Sequence, residues 1–429
     1  MELDLQTIIS DCLFKDIVLC EGGASGTISH MFRDPGMTFG EMRDLFKSIF
    51  SGETTITEKT DGQNLMVTYK DGKFGFARNK ATLKEPMDSS KLSEFFKGRD
   101  EMKEAFCKSS KALEKALSSI PPENLEKFFG NGHRFLNVEI VYPPFKNLID
   151  YGNRCMLQLN SLDTFDEGFS KTGDDSTLLS EMEQILSSNK ALKQEMFSLQ
   201  PPNVLKIKES PTAKQALETI MEKMDALVDG IGYRATIKDY FDERWRNRIV
   251  NSCRKAGFDV DRESTFVQEF ADRLSRLSGK RPTKSDVVTF AKKAGINPRT
   301  EEYRNLVYSL ESGAEEVNEE IMAPIEDLVT DAGVLIMKNL TGFLAADPGK
   351  TSRKILSDLD DAVRRIEEGE VQLAPDKMRL FKKNLKKIEK YQEKYIPAEG
   401  ILVRFRGKVY KITSHFSPVN QILGLIKYR

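Results

Sequence analysis

The spacing of apolar residues changes along the chain, and each change marks a predicted element. Residues 1–55 read as helix-prone, with a loop near Gly22, Gly23 and Gly26. Within them Phe39, Met42, Leu45 and Phe46 recur at helical spacing. Strand character follows. Thr54–Thr57 leads into Leu65–Tyr69, and Lys70-Asp71-Gly72-Lys73 separates that run from Phe74–Arg78. An Asp-Gly pair between two such runs predicts a tight hairpin. Residues 90–128 return to helix. Arg134–Tyr142 and Met156–Leu162 are strand-like, and Pro143-Pro144 ends the first.

From 172 to 395, Glu, Lys, Leu and Ala dominate at helical periods, punctuated by Pro201-Pro202, Pro324, Pro348-Gly349 and Pro375. The last segment reverts to strand, with Gly400–Phe405, a turn at Arg406-Gly407-Lys408, and Val409–Thr413. No fixed-period repeat is visible. The expected fold class is α+β, with antiparallel sheets interrupted by a large all-helical insertion. The expected boundaries are an N-terminal segment 1–55, a sheet-bearing domain 56–171 and 396–429, and a helical insertion 172–395.

Composition narrows the class. The 429 residues suggest about two to three domains on length alone. With 39% apolar and 31% charged residues, a soluble globular protein is expected. No apolar run reaches the ~18 residues of a membrane span, and the start lacks the basic and apolar regions of a secretory signal. The cysteines Cys12, Cys20, Cys107, Cys155 and Cys253 are odd in number and scattered. That fits free thiols in a reducing cytoplasm and argues against a disulfide framework. With His30, His133 and His415 the only histidines, any metal is expected on carboxylates, which favours Mg²⁺ or Mn²⁺.

The net charge of −1 excludes a uniformly basic coat but hides blocks. Residues 244–300 hold 14 basic and 6 acidic side chains, a net of +8. Residues 301–347 hold 2 basic and 11 acidic, a net of −9. Residues 377–394 hold 8 basic and 2 acidic, a net of +6. In that last segment Met378, Phe381, Leu385 and Ile388 form an apolar stripe opposite the lysines. Such a helix either pairs with the acidic block or contacts a phosphate backbone.

Candidate chemistry gathers between the first strands, in Thr57-Glu58-Lys59-Thr60-Asp61-Gly62-Gln63-Asn64. A lysine before a tight turn is either a surface residue or a nucleophile, and it attacks only when deprotonated. Gly62 lets backbone approach a ligand closely. Further along, Arg78 ends the hairpin, and Glu139 sits among Leu136, Val138, Ile140 and Val141. A charge in such a run needs a partner, Arg134 or Arg78, or marks a site. Glu399 precedes Gly400-Ile401-Leu402-Val403, and Lys411 lies mid-strand, buried or snorkelling at an edge. His30 is an ordinary loop histidine or a phosphate contact.

Taken in order, this set resembles the covalent nucleotidyltransferase superfamily. That superfamily contains ATP-dependent DNA and RNA ligases and mRNA-capping guanylyltransferases. The likeness is greatest to RNA-ligase-like proteins of tailed bacteriophages, and it covers about residues 55–170 and 396–429. The resemblance implies a nucleotidyltransferase (adenylation) domain and an ATP-dependent polynucleotide ligase acting on RNA or DNA ends, with ATP and Mg²⁺ or Mn²⁺ as cofactors. If the chain is phage-encoded, its place is the host bacterial cytoplasm. Lys59 would attack the α-phosphorus and form lysyl-AMP. Glu399 would hold the metal, and Lys411 would neutralise phosphate charge. Glu139 and Arg78 would contact the ribose and its surroundings. Asp61, Gly62 and Asn64 would shape the turn and orient the nucleotide, with Glu58 beside them. Phe165 is the candidate for stacking on the base, with Leu162 as competitor and an ordinary core aromatic as the plain alternative. The basic segments 244–300 and 377–394 would grip the strand.

Two departures bear on this. The family's last motif carries two lysines, and Thr413 stands where the second would be. With 18 residues after Lys411, no C-terminal OB domain is expected. A competing motif, Leu227-Val228-Asp229-Gly230-Ile231-Gly232, lacks Glu before Gly and ranks below Glu399-Gly400. The alternatives to a ligase are a binding or structural protein on a ligase-like fold, and a capping-type GTP transferase.

Overall fold

The computed structural model describes residues 28–144, 147–188, 196–275, 284–297, 299–311, 318–340, 348–391, 398–413 and 416–427. The loop expected near Gly22–Gly26 lies outside them, as do parts of both basic blocks. Helix and strand are mixed. Among the described residues, ten strands run β1 (Ile56–Lys59), β2 (Gln63–Lys70), β3 (Lys73–Ala77), β4 (Arg134–Val141), β5 (Met156–Phe165), β6 (Lys171–Asp174), β7 (Ser198–Gln200), β8 (Val204–Leu205), β9 (Gly400–Phe405) and β10 (Lys408–Thr413). The hairpin expected at Asp71-Gly72 forms. Lys70 pairs with Lys73, and both turn residues have positive φ, 50° and 75°, as a two-residue type I′ turn demands.

The strands build two sheets. One has the order β10-β9-β1-β8; the other contains β3-β2-β4-β5-β6, with β7 beside β5. All the pairs are antiparallel except β5–β7. The chain passes from the first sheet to the second through the short turn Thr60–Gly62, between β1 and β2.

Helices cover the outer faces. The first group is α1 (Phe39–Phe50), α2 (Lys80–Lys84), α3 (Ser89–Phe95), α4 (Asp100–Leu117), α5 (Pro122–Phe129) and α6 (Ser176–Ser188). A capping box starts α1: Glu41 N–H donates to Thr38 Oγ1 at 3.1 Å, and Thr38 N–H donates to the Glu41 carboxylate at 2.8 Å. On the larger sheet, Leu65, Val67, Leu136, Val138, Ile140, Leu157, Leu159 and Leu162 point to one side. They form one core with Phe106 and Leu113 of α4, Phe128 and Phe129 of α5, and Met182 of α6. Period-two alternation therefore leaves the other side of that sheet polar around Asn64 and Glu139.

The segment 172–395 is mostly helical, as expected, but three short strands, β6, β7 and β8, join it to the sheets. Its helices are α7 (Pro211–Val228), α8 (Ile237–Lys255), α9 (Thr265–Ser275), α10 (Lys284–Lys293), α11 (Glu301–Glu311), α12 (Ala323–Asn339), α13 (Pro348–Glu367) and α14 (Pro375–Tyr391). The chain then returns through β9 and β10 to α15 (Phe416–Lys427). Ile220, Trp245, Leu306 and Ile336 share one continuous core with α1 and with Ile56, Ile401, Val403 and Ile412 of the smaller sheet. The helices from α7 to α12 are thus packed into the sheet's own core. Ile355, Phe381 and Val419, on α13, α14 and α15, form a separate cluster with Val141, Leu148, Ile149 and Tyr151. Among the described residues, no helix is long and apolar enough to cross a membrane.

Candidate functional site

The two sheets meet at Lys59. On β1, Lys59 alternates away from Ile56, which lies in the core, and pairs with Gly400. On β10, Tyr410 and Ile412 face that same core, so Lys411 between them faces the Lys59 side. From the larger sheet, the register sets Asn64 beside Glu139 and Glu139 beside Gln158, on its polar face. Three distant segments converge. Lys59 Nζ forms a short ion pair with Glu399, 340 residues away in sequence. Lys59 and Arg78 both act electrostatically on Glu139.

The turn after Lys59 is anchored at every residue. Thr60 Oγ1 donates to Gln158 Oε1 at 2.6 Å. The Asp61 carboxylate accepts from the backbone N–H of Leu148 at 2.6 Å and of Ile149 at 3.0 Å, while its own N–H donates to the Tyr151 hydroxyl at 2.9 Å. Gly62 N–H donates to the Glu139 carboxylate. Lys59 is therefore held on a rigid corner, the condition for positioning a reactive atom.

The carboxylates are crowded. Burial, with Asp61 and Glu139 nearby, outweighs the attraction of Lys59 and pushes Glu399 up from 4.5 to about 8. Burial likewise pushes Glu139 up to about 7, against Lys59 and Arg78. The sign of the pH dependence follows. The folded chain binds protons that the unfolded chain releases above about 4.5, so stability falls as pH rises through 7 and 8. His30, lowered from 6.5 to about 3 by burial and by Lys411, Arg33 and Lys59, opposes this only below 6.5. We expect the protein to lose on the order of 2 kcal/mol between about pH 6.5 and about pH 8.5. Denaturant melts across that range check it, and Glu399→Gln should flatten the slope.

Asp61 shapes the turn: its Oδ2 accepts from the 148–149 backbone. Other expected residues are placed differently from their expected roles. Glu58 alternates to the face opposite Lys59, is buried, and accepts from Asn203 Nδ2 at 3.3 Å. Phe165 ends β5, buried edge-on against Phe135 at 5.5 Å in a cluster with Met66, Ala77 and Leu83. It is a core aromatic there, and Leu162 faces the opposite core. Asp229-Gly230 follows the end of α7, not a strand. Arg134 gives Nη1 to the carbonyls of Lys127 and Phe128, which leaves Arg78, of the two arginines, to act with Lys59 on Glu139.

The expected Asn64 is joined on the polar face by Asn137 and Asp163, which were not singled out from sequence. Asn64 Nδ2 donates to Asn137 Oδ1 at 2.5 Å, and its own Oδ1 is buried without a partner. Asn137 Nδ2 approaches Asp163 at 3.4 Å, and Asp163 is held by Ser161 at 2.7 Å and Lys171 at 2.8 Å. The signal was present: Asn137 and Glu139 are polar residues two apart in an apolar strand.

The resemblance implies a divalent metal. Among the described residues, no group of three or more His, Cys, Asp or Glu is arranged to hold one. Mg²⁺ needs only one or two carboxylates when phosphate oxygens and water complete its shell. Glu399, buried among like charges, fits that single-carboxylate role.

The two basic blocks differ. In the first, Arg248 pairs with Glu320, Arg262 with Glu243, Arg273 with Asp286 and Lys293 with Glu269. On α14, the apolar residues Met378, Phe381, Leu385 and Ile388 pack toward α13 and α15, and Arg379, Lys382 and Lys386 are exposed.

No known family model matches the chain, and none of the curated proteins or solved structures compared with it gives a significant match.

Proposed function

We propose that this chain is an ATP-dependent polynucleotide ligase, acting on RNA, that joins 5′-phosphate and 3′-hydroxyl ends through lysyl-AMP. The observation that carries the proposal is the meeting of Lys59 with Glu399, Glu139, Arg78 and Lys411 at one corner between two sheets. A nucleophile, fixed cations and a buried carboxylate are the parts that phosphoryl transfer needs.

In this reading the neutral Lys59 amine attacks the α-phosphorus. The N–P bond forms as the bond from phosphorus to the pyrophosphate oxygen breaks, and the amine proton passes to water. AMP then moves to a 5′-phosphate, and a 3′-hydroxyl displaces it. Lys411 would offer charge to the phosphate oxygens, and Glu139 and Arg78 would contact the ribose and its surroundings. Mg²⁺ or Mn²⁺, when bound at Glu399, would supply further charge neutralisation. The exposed Arg379, Lys382 and Lys386 face of α14 suits a polynucleotide backbone better than Arg248, Arg262, Arg273 and Lys293 of the 244–300 block, which are ion-paired.

The test is incubation with α-labelled ATP or GTP and Mg²⁺, followed by denaturation and a chase with 5′-phosphorylated RNA or DNA. Label from ATP that passes to RNA is the expected result. Label from GTP alone would point to a capping-type transferase. No denaturation-resistant label from either nucleotide would overturn nucleotidyl transfer and leave a binding protein.

A further inference from the structure

The segment from Ile28 to Asp34 lies along the edge of the smaller sheet. Lys411 N–H donates to the Ser29 carbonyl at 3.1 Å, and His30 forms a parallel bridge with Lys411. Asp34 then clamps the far end, accepting from Lys408 Nζ at 2.6 Å and from the Tyr410 hydroxyl at 2.7 Å. Met31 and Phe32 are buried beneath the strap, and the His30 ring stacks on Phe32 at 4.9 Å. Backbone and side-chain bonds thus fix His30 beside β10, half-buried.

The surroundings of His30 are cationic. Burial, together with Lys411, Arg33 and Lys59 nearby, disfavours a proton on it, so at neutral pH its imidazole is uncharged. An uncharged imidazole still donates one N–H. Arg33 is exposed on the same strap. Lys59, Lys411, His30 and Arg33 therefore present donors and positive charge on one side of the corner. Glu139 and Arg78 flank the other.

We infer that the strap residues His30 and Arg33, together with Lys411, form a subsite for the pyrophosphate portion of a nucleoside triphosphate. The inference rests on the reading of Lys59 as the nucleophile and deepens it by saying what receives the leaving group. The bond from the α-phosphorus to the bridging oxygen breaks as Lys59 Nζ bonds to phosphorus, and the electron pair stays on that oxygen. His30 donates a hydrogen bond to the departing pyrophosphate, and Arg33 offsets its charge. No proton transfer from His30 is needed.

Two measurements separate this inference from the ligase reading. Titration of the full chain with inorganic pyrophosphate and Mg²⁺ reads the subsite directly. His30→Ala and Arg33→Ala should each weaken binding about tenfold, while His30→Asn, which keeps a side-chain N–H, should lose less. Attack by pyrophosphate on the preformed, labelled lysyl-adenylate reads the same subsite in reverse. It should slow about 10- to 100-fold in His30→Ala and in Arg33→Ala, and less in His30→Asn. Unchanged thermal melting shows that the variants fold. If wild type does not bind pyrophosphate, or the variants bind it equally, the subsite is overturned whatever the labelling result. If pyrophosphate binds as expected but no label forms on wild type, the subsite stands and the Lys59 reading falls.

Discussion

Lys59→Ala should take up no denaturation-resistant label from ATP, a loss of at least about 10³-fold, while still binding ATP without covalent attachment. The loss is expected to be this complete because no other described residue at the corner offers an equivalent amine. Lys411 is buried mid-strand and held in its own pairing with Leu402. Arg78 stays protonated at any working pH, and so would an arginine in place of Lys59. Lys59→Arg should therefore be as inactive as the alanine variant. Binding should persist because Glu139 and Lys411 remain on their strands and Arg78 just after β3. Folding should persist too. The Lys59 ammonium stabilises the Glu399 carboxylate, and its removal drives that buried group further up, so that it takes a proton rather than remaining as an unpaired charge. The stability cost should be about 1–2 kcal/mol. Filter retention of labelled protein after denaturation, equilibrium ATP binding and a denaturant melt check the three parts. Residual covalent label comparable with wild type would remove Lys59 from the mechanism.

Strands and their faces were the most legible part of the chain. Asp71-Gly72 announces the hairpin because only a few residues accept two successive positive φ values. The Lys59, Arg78, Glu139, Glu399 and Lys411 cluster was legible for a different reason. Each is a charge embedded in or ending an apolar run, which calls for a partner: Lys59 pairs with Glu399, and Lys59 and Arg78 act on Glu139. The roles of Asp61, Glu58 and Phe165 were less legible. Asp61 is two residues from the lysine, but the backbone N–H groups that claim it lie at Leu148 and Ile149. No local pattern reveals that contact. Glu58 is adjacent to Lys59, and adjacency in a strand means opposite faces. Phe165 is at the right end of the right strand, but its neighbour Phe135 is packed against it. The helical segment was legible as helix, but what it packs against was not. Periodicity marks which face of α8 or α12 is apolar, but not that the surface it meets is β1, β9 and β10.

Gly62→Ala should damage the corner almost as severely, through geometry instead of chemistry. A Cβ at this position would lie 2.6 Å from the Ile140 carbonyl oxygen and 2.7 Å from Glu139 Cγ. Neither neighbour can withdraw easily. Ile140 is a mid-strand residue of β4, paired with Gln63 on one side and Leu157 on the other. Glu139 accepts the Gly62 N–H, so moving it breaks the bond that ties the turn to the sheet. The remaining adjustment is for the turn itself to lift. That strains the Thr60–Gln158 and Asp61–Tyr151 hydrogen bonds and carries Lys59 away from Glu139. The overpacking should cost about 2–3 kcal/mol in denaturant melts. Lysyl-AMP formation should fall about 10²-fold, since a displacement near 1 Å is enough to cost that much in a positioned reaction. Unlike Lys59→Ala, the variant keeps its nucleophile, so slow labelling should be measurable and should reach the same end point. A Gly62→Ala chain as stable as wild type and labelled at the same rate would mean that the turn does not hold Lys59 in place.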